Sequence, residues 1–222
     1  MFVESFLNTE IALAALPILW MGLVQTILLA LLCVPLGIGA GLAAALLSGR
    51  PERAIRWPLI GLIDIFRAVP PLVLLIFLYA GLPFAGLDLG AWGAVALAFL
   101  LNTGAYYAEI FRAGIESVGR GQAEAARALG LRRWQVSLFV VLPQAVRNVL
   151  PDLVSNTLEV VKLTSLASVV ALPELLFQAR QAQSITFNAT PILVAALFYF
   201  ILLWPCVRLL SRLENRQIAG RR

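Results

Sequence analysis

Histidine is absent from this chain of 222 residues, lysine occurs once, and there are two cysteines. Without histidine the protein lacks the commonest general base and metal ligand at neutral pH. The single lysine, Lys162, is followed by Leu163, whereas a phosphate-binding loop of the ATPase kind needs Gly-Lys followed by Ser or Thr. A Gly-x-Ser-x-Gly nucleophile elbow is also missing. The sequence therefore predicts a protein that is not an enzyme by itself and that binds no cofactor or metal.

Charged side chains are scarce as well, at 13% of the residues against 61% hydrophobic ones, and the mean hydropathy is +0.90. This composition is too apolar for a soluble domain of the same length. Cys33 and Cys206 lie in apolar runs, where cysteine behaves as a small hydrophobe, so no disulfide framework is predicted. Glu4 and Glu10 stand where a cleavable signal peptide would have its positive region, so none is expected.

Apolar runs of about 20 residues, the length that crosses a bilayer, recur along the chain and predict a polytopic all-α membrane protein. The first span also contains Gly37 and Gly41, which either let a neighbouring helix approach closely or reflect the frequency of glycine in membrane helices. The expected organisation is a single transmembrane domain, 1–222, with a periplasmic or interfacial lead-in at 1–17, spans at 18–47, 59–82, 91–113, 150–172 and 191–210, a cytosolic segment at 117–149 and a cytosolic tail at 211–222.

The arginines collect in the first and third connecting loops and near the C-terminus, whereas the second loop has none. Cytoplasmic loops of membrane proteins carry an excess of Lys and Arg. With an odd number of spans, this asymmetry predicts an external N-terminus and a cytosolic C-terminus. It also accounts for the net charge of +5 without a nucleic-acid partner, since no basic patch interleaved with aromatics is present.

A polar segment rich in arginine interrupts the apolar runs between the third and fourth spans. It reads Glu124-Ala125-Ala126-Arg127-Ala128-Leu129-Gly130, and nine residues separate it from Val140-Val141-Leu142-Pro143. Residues 122–129 predict a helix, Gly130 can adopt the left-handed conformation that ends one, and residues 131–142 predict the start of a second helix. Pro143 is expected to bend the chain back toward the membrane. Such a crosswise helix can sit in a cleft of a cytosolic partner, and the alternative is an ordinary amphipathic loop.

The glutamate, the glycine and the leucine-proline pair of this segment resemble the EAA loop of permease subunits of ATP-driven importers. Three other stretches resemble polar amino-acid permeases, and they are Phe-Arg-Ala-Val-Pro-Pro-Leu-Val at 66–73, Asn-Thr-Gly-Ala-Tyr-Tyr-Ala-Glu-Ile-Phe-Arg at 102–112 and Lys-Leu-Thr-Ser-Leu-Ala-Ser-Val at 162–169. The resemblance covers about residues 20–214. It implies a type I ABC importer permease fold of about five transmembrane helices plus a cytosolic coupling helix.

The resemblance also implies a function, which is binding-protein-dependent import of polar amino acids or similar solutes by alternating access in the bacterial inner membrane. The expected partners are a cytosolic ABC ATPase dimer that holds ATP and Mg²⁺, a second permease (identical or paralogous), an extracytoplasmic solute-binding protein and the lipid bilayer. The residues expected to couple the chain to the ATPase are Glu124, Ala125, Ala126, Gly130, Arg132, Arg133, Leu142 and Pro143.

Acidic and basic residues three apart recur inside the spans, as Asp64/Arg67, Glu109/Arg112 and Glu159/Lys162. Residues three apart share a helix face and can neutralise each other, which lowers the cost of placing charge in lipid. The pairs are either structural or in contact with the solute. The fourth span is so polar that it cannot face lipid on all sides. The hypothesis is a solute path that includes Glu159, Lys162, Thr164 and Ser165, together with Asn102, Tyr107 and Glu109 from the stretch that resembles the family's third span.

Charges of both signs among these residues leave acidic, basic and neutral solutes open. The family commonly has Gly-Thr where this chain has Ala68-Val69, and Asp or Asn at Leu163, which leaves the substrate open too. A rival interpretation is a stand-alone proton-coupled secondary transporter or channel that uses Asp64, Glu109 and Glu159, although no inverted repeat supports it. A membrane scaffold is a third interpretation, but a scaffold has no need of a polar span.

Overall fold

A computed structural model of the chain describes residues 6–50 and 52–219, with side chains up to Arg212. In this part of the chain every regular element is a helix. The helices are α1 (Thr9–Ser48), α2 (Arg53–Ala68), α3 (Pro71–Ile76), α4 (Gly90–Ser117), α5 (Arg120–Ala128), α6 (Arg133–Gln135), α7 (Leu142–Asn148), α8 (Leu150–Leu163), α9 (Leu175–Thr186) and α10 (Thr190–Ala219). Three helices continue into irregular helical turns. After α3 come a π turn at Phe77–Gly81 and a 3-10 turn at Leu82–Ala85. A π turn at Val136–Val141 follows α6, and a 3-10 turn at Thr164–Val170 follows α8.

In the described residues, four of these segments are long and apolar enough to cross a membrane. A fifth candidate is α2 together with Pro71–Ala85, which forms either a broken span or a re-entrant loop. The predicted all-helical fold with about five spans is therefore confirmed. Three details differ from the sequence expectation. The first helix already begins at Thr9, so residues 9–17 belong to the same helix as the first span. The second span is interrupted between α2 and α3. A further helix, α9, lies between the fourth and fifth spans.

The second span breaks where two prolines follow each other. Val69 is extended (φ −76°, ψ 126°), because the ring of Pro70 disfavours helical backbone in the preceding residue. The break frees carbonyl groups that need hydrogen-bond partners within a membrane protein. Asn102 of α4 donates its amide to the Phe66 oxygen at 2.9 Å, and Tyr106 donates its hydroxyl to the Arg67 oxygen at 3.3 Å.

The helices form two compact units, each with its own core. One comprises residues 6–35, 70–100 and 157–209, and the other comprises 36–50, 52–69, 101–156 and 210–219. In the first unit, α1, α9 and α10 pack through a cluster of small and aliphatic side chains. Its buried members are Ala15, Leu19, Leu175, Ala179, Ala182 and Ala195.

The second unit depends on a close contact between α1 and α4. A Cβ atom added to Gly41 would lie 2.4 Å from the Cβ of Tyr107 and 2.8 Å from the nitrogen of Ala108. A Cβ atom on Gly37 would lie 2.6 Å from the hydroxyl of Thr103. Of the two interpretations of this glycine pair, the structure therefore confirms close packing of a neighbouring helix. Small residues drive such contacts because lipid provides no hydrophobic force between helices.

Replacement of Gly41 by valine should destabilise the protein by about 1–3 kcal/mol, the cost of overpacking a close contact. Gly39 is the matched control, since an added Cβ atom there meets nothing within 4 Å. We expect Gly41→Val to lower the thermal midpoint in detergent and Gly39→Val to leave it nearly unchanged. Equal midpoints for the two variants would contradict the packing argument.

Candidate functional site

The polar segment between α4 and α8 folds as two helices separated by a glycine. α5 ends at Ala128, and Gly130 has φ +84°, a left-handed conformation in which glycine carries no steric penalty. The amide of Gly130 donates to the oxygen of Arg127, and that of Leu131 to the oxygen of Ala126. The predicted helix–glycine–helix arrangement is present.

The second helix begins later and runs further than the sequence predicts. It starts at Arg133, with the backbone N–H of Arg132 donating to Oε1 of Gln135 at 2.8 Å. The chain stays helical through Pro143 up to Asn148, and the expected bend back toward the membrane at Pro143 stays a prediction. A proline ring clashes with the carbonyl four residues earlier, and the π turn at Val136–Val141 accommodates such a disturbance.

The outer surface of this segment exposes large apolar side chains. Leu129 is 84% exposed, Phe139 63% and Trp134 57%. Arg132 and Arg133 lie exposed beside them, as do Glu124, Ala125 and Pro143, whereas Leu142 is half-buried. Ala126 faces inward at 5% exposure, and the residues predicted to contact an ATPase thus include both inward and outward positions.

The segment is attached directly to the end of α4. A Cβ atom on Gly114 would lie 3.0 Å from the Ala145 oxygen and 3.0 Å from the Val149 side chain, so α7 passes close to α4. Asn148 donates its amide to the Ser117 hydroxyl at 2.8 Å, and that hydroxyl donates to the Gly114 oxygen at 2.7 Å. These contacts join the polar segment to a membrane-spanning helix.

Ion pairs connect α2 and α4 within the same unit. Arg112 contacts Glu109 at 2.6 Å and Glu116 at 2.8 Å. Arg67 reaches Glu109 at 3.4 Å and Asp64 at 3.9 Å, and its guanidinium lies 5.6 Å from the centre of the Tyr106 ring. The predicted pairs Asp64/Arg67 and Glu109/Arg112 are confirmed, and the Arg67–Glu109 contact joins them across two helices.

The candidate path residues of the fourth span lie together on α8 and the turn after it. Lys162 donates to Glu159 at 2.6 Å, which confirms the third predicted pair, and the two side chains are 50% and 58% exposed. Ser165 donates its hydroxyl to the Lys162 oxygen at 2.8 Å. Thr164 is fully buried and donates to the Val161 oxygen at 2.6 Å.

The other three candidate path residues belong to the second unit and have local partners. Asn102 is 1% exposed and holds the end of α2, as described above. Tyr107 is fully buried against the glycines of α1, and Glu109 lies between two arginines. Their contribution to a solute path stays a prediction.

Sequence reasoning missed Glu174, a fully buried carboxylate at the start of α9. Its Oε1 accepts from the backbone N–H of Phe177 at 2.7 Å, and Oε2 accepts from that of Leu176 at 2.9 Å and from the Tyr199 hydroxyl at 3.0 Å. Ser, Thr, Asp and Asn are the usual N-cap residues, so a glutamate gave no signal. The preceding Pro173, which can interrupt a helix, was the available hint.

These features define an all-helical polytopic membrane protein that exposes a helix–glycine–helix segment between two of its spans. The chain belongs to the family described as binding-protein-dependent transport system inner membrane components, whose profile matches residues 34–218. It is therefore a multi-pass inner-membrane transport component, and members of this family generally work with an ATPase and a binding protein.

Relatives and solved structures agree with this assignment. The chain is 37% identical over 198 residues to the probable amino-acid ABC transporter permease protein YckA of Bacillus subtilis, covering 89% of this chain and 88% of that protein. It is 34% identical over 206 residues to the probable glutamine ABC transporter permease protein GlnP of the same organism, covering 91% and 94%.

Among solved structures, one chain from a crystal structure of an amino acid ABC transporter with histidines is 35% identical, with a TM-score of 0.83 and coverage of 92% and 96%. A chain from inward-facing structures of the MetNI methionine ABC transporter is 20% identical with a TM-score of 0.76, covering 90% and 95%, which shows the shared fold. The type I ABC importer permease fold is thereby established.

Proposed function

We propose that this permease component imports polar amino acids by alternating access, driven by ATP and Mg²⁺ that a separate cytosolic ATPase dimer holds. The observation that carries this proposal is the exposed segment Arg120–Asn148, which displays Leu129, Trp134 and Phe139 and is fixed to α4. The solute class is supported by the relatives, which are called amino-acid and glutamine permease proteins.

The exposed segment is suited to receive force from a partner. Large aromatic and aliphatic side chains together with arginine are typical of the centres of protein interfaces. Arg132 and Arg133 add two positive charges for an acidic surface on the ATPase. Because Asn148 and Gly114 attach the segment to α4, a displacement of the segment would also displace that helix.

The assembly follows from orientation and from exposed charge. The arginine-rich loops and the C-terminus face the cytosol, and the N-terminus faces the external binding protein. The Glu159–Lys162 pair is about half exposed on a candidate span, and charged groups in membranes face protein or a water-filled cavity rather than lipid. A second permease, identical or paralogous, would cover this face and enclose the path.

The decisive experiment is to purify the tagged chain in mild detergent and identify the proteins that come with it. We expect an ABC ATPase in equal amount and a second permease sequence if the complex is heteromeric. Reconstituted with its binding protein, the complex should take up glutamine, arginine or histidine only when ATP and Mg²⁺ are supplied. A folded preparation without ATPase that still carries solute would contradict the proposal and favour a secondary transporter.

Gly130 gives a sharper test of coupling. Gly130→Pro cannot adopt φ +84°, and Gly130→Ala is strained there, so both should misplace the second helix relative to the first. We expect insertion and ATP hydrolysis to persist while uptake per ATP hydrolysed falls, more for proline than for alanine. Gly121→Ala, at a helical position where an added Cβ atom meets nothing within 4 Å, is the control. Normal coupled uptake in Gly130→Pro would count against this mechanism.

The Glu159–Lys162 pair provides a test of the path. Glu159→Gln and Lys162→Met each remove one partner of a 2.6 Å contact and should change the uptake rate or the order of preference among acidic, basic and neutral amino acids. The exchanged pair Glu159→Lys with Lys162→Glu keeps the ion pair and serves as the control. A structural role predicts that this exchange restores wild-type preference, whereas a path role predicts that preference stays altered. Unchanged rate and preference in both single variants would exclude the path role.

A further inference from the structure

The second unit contains a cavity of about 520 Å³ between the end of α1, α2 and the end of α4. Small-molecule sites in proteins have volumes of roughly 300–1,000 Å³, so the cavity is large enough for a metabolite. Its apolar walls include Leu46, Trp57 and Ile115. The charged side chains that line it are Arg56, Asp64, Glu109, Arg112 and Glu116. The cavity is therefore a candidate site for a small charged molecule.

The cavity lies where the first connecting loop and the polar segment meet the second unit. Gly49 follows the end of α1, Arg56 belongs to the first turns of α2, and Ser137 belongs to the π turn of the polar segment. Under the proposed orientation, the first loop and the polar segment both face the cytosol. A ligand of this cavity would therefore come from the cytosolic side.

The carboxylates of the cavity are not fully matched by arginine. Arg112 contacts Glu109 at 2.6 Å and Glu116 at 2.8 Å, and Arg67 reaches Glu109 at 3.4 Å. Asp64 has only a 3.9 Å contact with Arg67, and its side chain is 64% exposed. Three carboxylates thus share two guanidinium groups, which leaves one negative charge in excess. Asp64, with the longest contact of the three, is the one best placed to bind a cation.

Arg56 provides the opposite charge in the same cavity. Among the described residues, its guanidinium has neither an ion-pair nor a hydrogen-bond partner. Arg56 and Asp64 are eight residues apart on α2, which separates their backbone positions by about 12 Å along the helix. The cavity thus offers an unpaired cation near the start of α2 and a weakly paired carboxylate further along it. This arrangement suits an elongated molecule with an acidic group and a cationic group at opposite ends.

A cationic amino acid has this distribution of charge. Its α-carboxylate would accept hydrogen bonds from the Arg56 guanidinium, which binds carboxylates well because its donors form a planar fork. Its side-chain cation would bind Asp64. Glutamine offers no second charge for Asp64, and the second carboxylate of glutamate would be repelled there. The order of affinity expected from the cavity is therefore arginine, then glutamine, then glutamate.

We propose that this cavity binds a cationic amino acid from the cytosolic side and that its occupancy slows import. α2, α4 and Ser137 of the polar segment all line the cavity, so a displacement of the segment changes the shape of the site. A ligand that binds one arrangement better than the other shifts the equilibrium toward that arrangement. Bound arginine therefore opposes the movement of the segment. This proposal rests on the proposed function, since it takes the segment to move during transport and the cavity to face the cytosol.

The test uses the complete importer in vesicles that contain ATP, Mg²⁺ and increasing amounts of unlabelled arginine, with the binding protein outside. The measurement is the initial uptake of radiolabelled glutamine, arginine or histidine, relative to the uptake of the same variant in vesicles without internal amino acid. We expect internal arginine to inhibit the wild-type complex. Arg56→Gln and Asp64→Asn should each raise the half-inhibitory concentration about tenfold, the scale of one lost hydrogen bond to a charged group.

Matched control variants lie next to Arg56 on the same helix. Arg53→Gln and Glu52→Gln alter exposed charges at the start of α2 that do not line the cavity. Neither should change the half-inhibitory concentration of internal arginine. An equal rise in Arg53→Gln would show a general effect of charge on this loop and would contradict the proposed site.

Agmatine, which is arginine without its carboxylate, tests the role of Arg56 without a change in the protein. In the wild-type complex, its half-inhibitory concentration should be about tenfold higher than that of arginine. Arg56→Gln should leave the value for agmatine unchanged, whereas Asp64→Asn should raise it. Inhibition by agmatine as strong as that by arginine would show that Arg56 binds no carboxylate and would overturn the proposal.

The outcomes separate this proposal from the function on which it rests. If uptake by the wild-type complex does not depend on ATP, the proposed function fails, and this proposal fails with it. If uptake is driven by ATP but internal arginine does not inhibit it, or inhibits Arg56→Gln as strongly as the wild type, this proposal alone is overturned. It is also overturned if Arg56→Gln changes only the dependence of uptake on the phospholipid composition of the vesicle, since the cavity then holds a lipid head group.

Discussion

The structure depends on one constraint, which is that backbone groups freed where a helix of a membrane protein is interrupted must find partners. The chain meets this constraint twice. At the end of α2, Asn102 and Tyr106 donate to carbonyl oxygens, and at the start of α9, Glu174 and Thr26 accept from N–H groups. In both places the partner is a side chain with the complementary polarity. Each interruption thereby ties its helix to neighbouring helices.

α4 organises the second compact unit through three sets of contacts. One stripe of its side chains, including Asn102 and Glu109, holds the broken end of α2 and its arginine. Gly104 and Ala108 form part of the surface that meets Gly41 of α1. Its last turn holds the polar segment by hydrogen bonds and close packing, as shown by the contacts of Ser117 and Gly114. A single helix thus joins the exposed segment to the break in the second span, and this is the physical basis for proposing that the segment couples the chain to a partner.

The sequence predicted what depends on local chemistry and failed where the cause lies in tertiary contacts. The number of spans, the left-handed glycine at 130 and the ion pairs three residues apart follow from hydropathy, backbone freedom and helix periodicity. Two prolines mark the break at Val69–Pro70 in the sequence. However, a broken helix and a kinked helix have the same composition, so the sequence alone does not distinguish them. In the structure, Asn102 of another helix binds the broken end. At Pro143 the helix continues, with the irregular π turn Val136–Val141 directly before it. The burial of Glu174 could not be predicted from the local sequence, because it depends on packing against α1 and α10.

The two glutamates that flank the end of the fourth span illustrate how the same residue type takes different roles. Glu174 has no exposed surface, and its two oxygens accept three hydrogen bonds, so its capacity as an acceptor is largely used by the fold. Glu159 has a 58% exposed side chain and one contact, with Lys162, which is itself half exposed. Under the proposed function, a charged group of a solute would meet an exposed pair at Glu159, whereas at Glu174 it would have to displace hydrogen bonds from α9 and α10 to a buried carboxylate. Of the two carboxylates, Glu174 is therefore committed to the fold, and Glu159 is the one left for the proposed solute path.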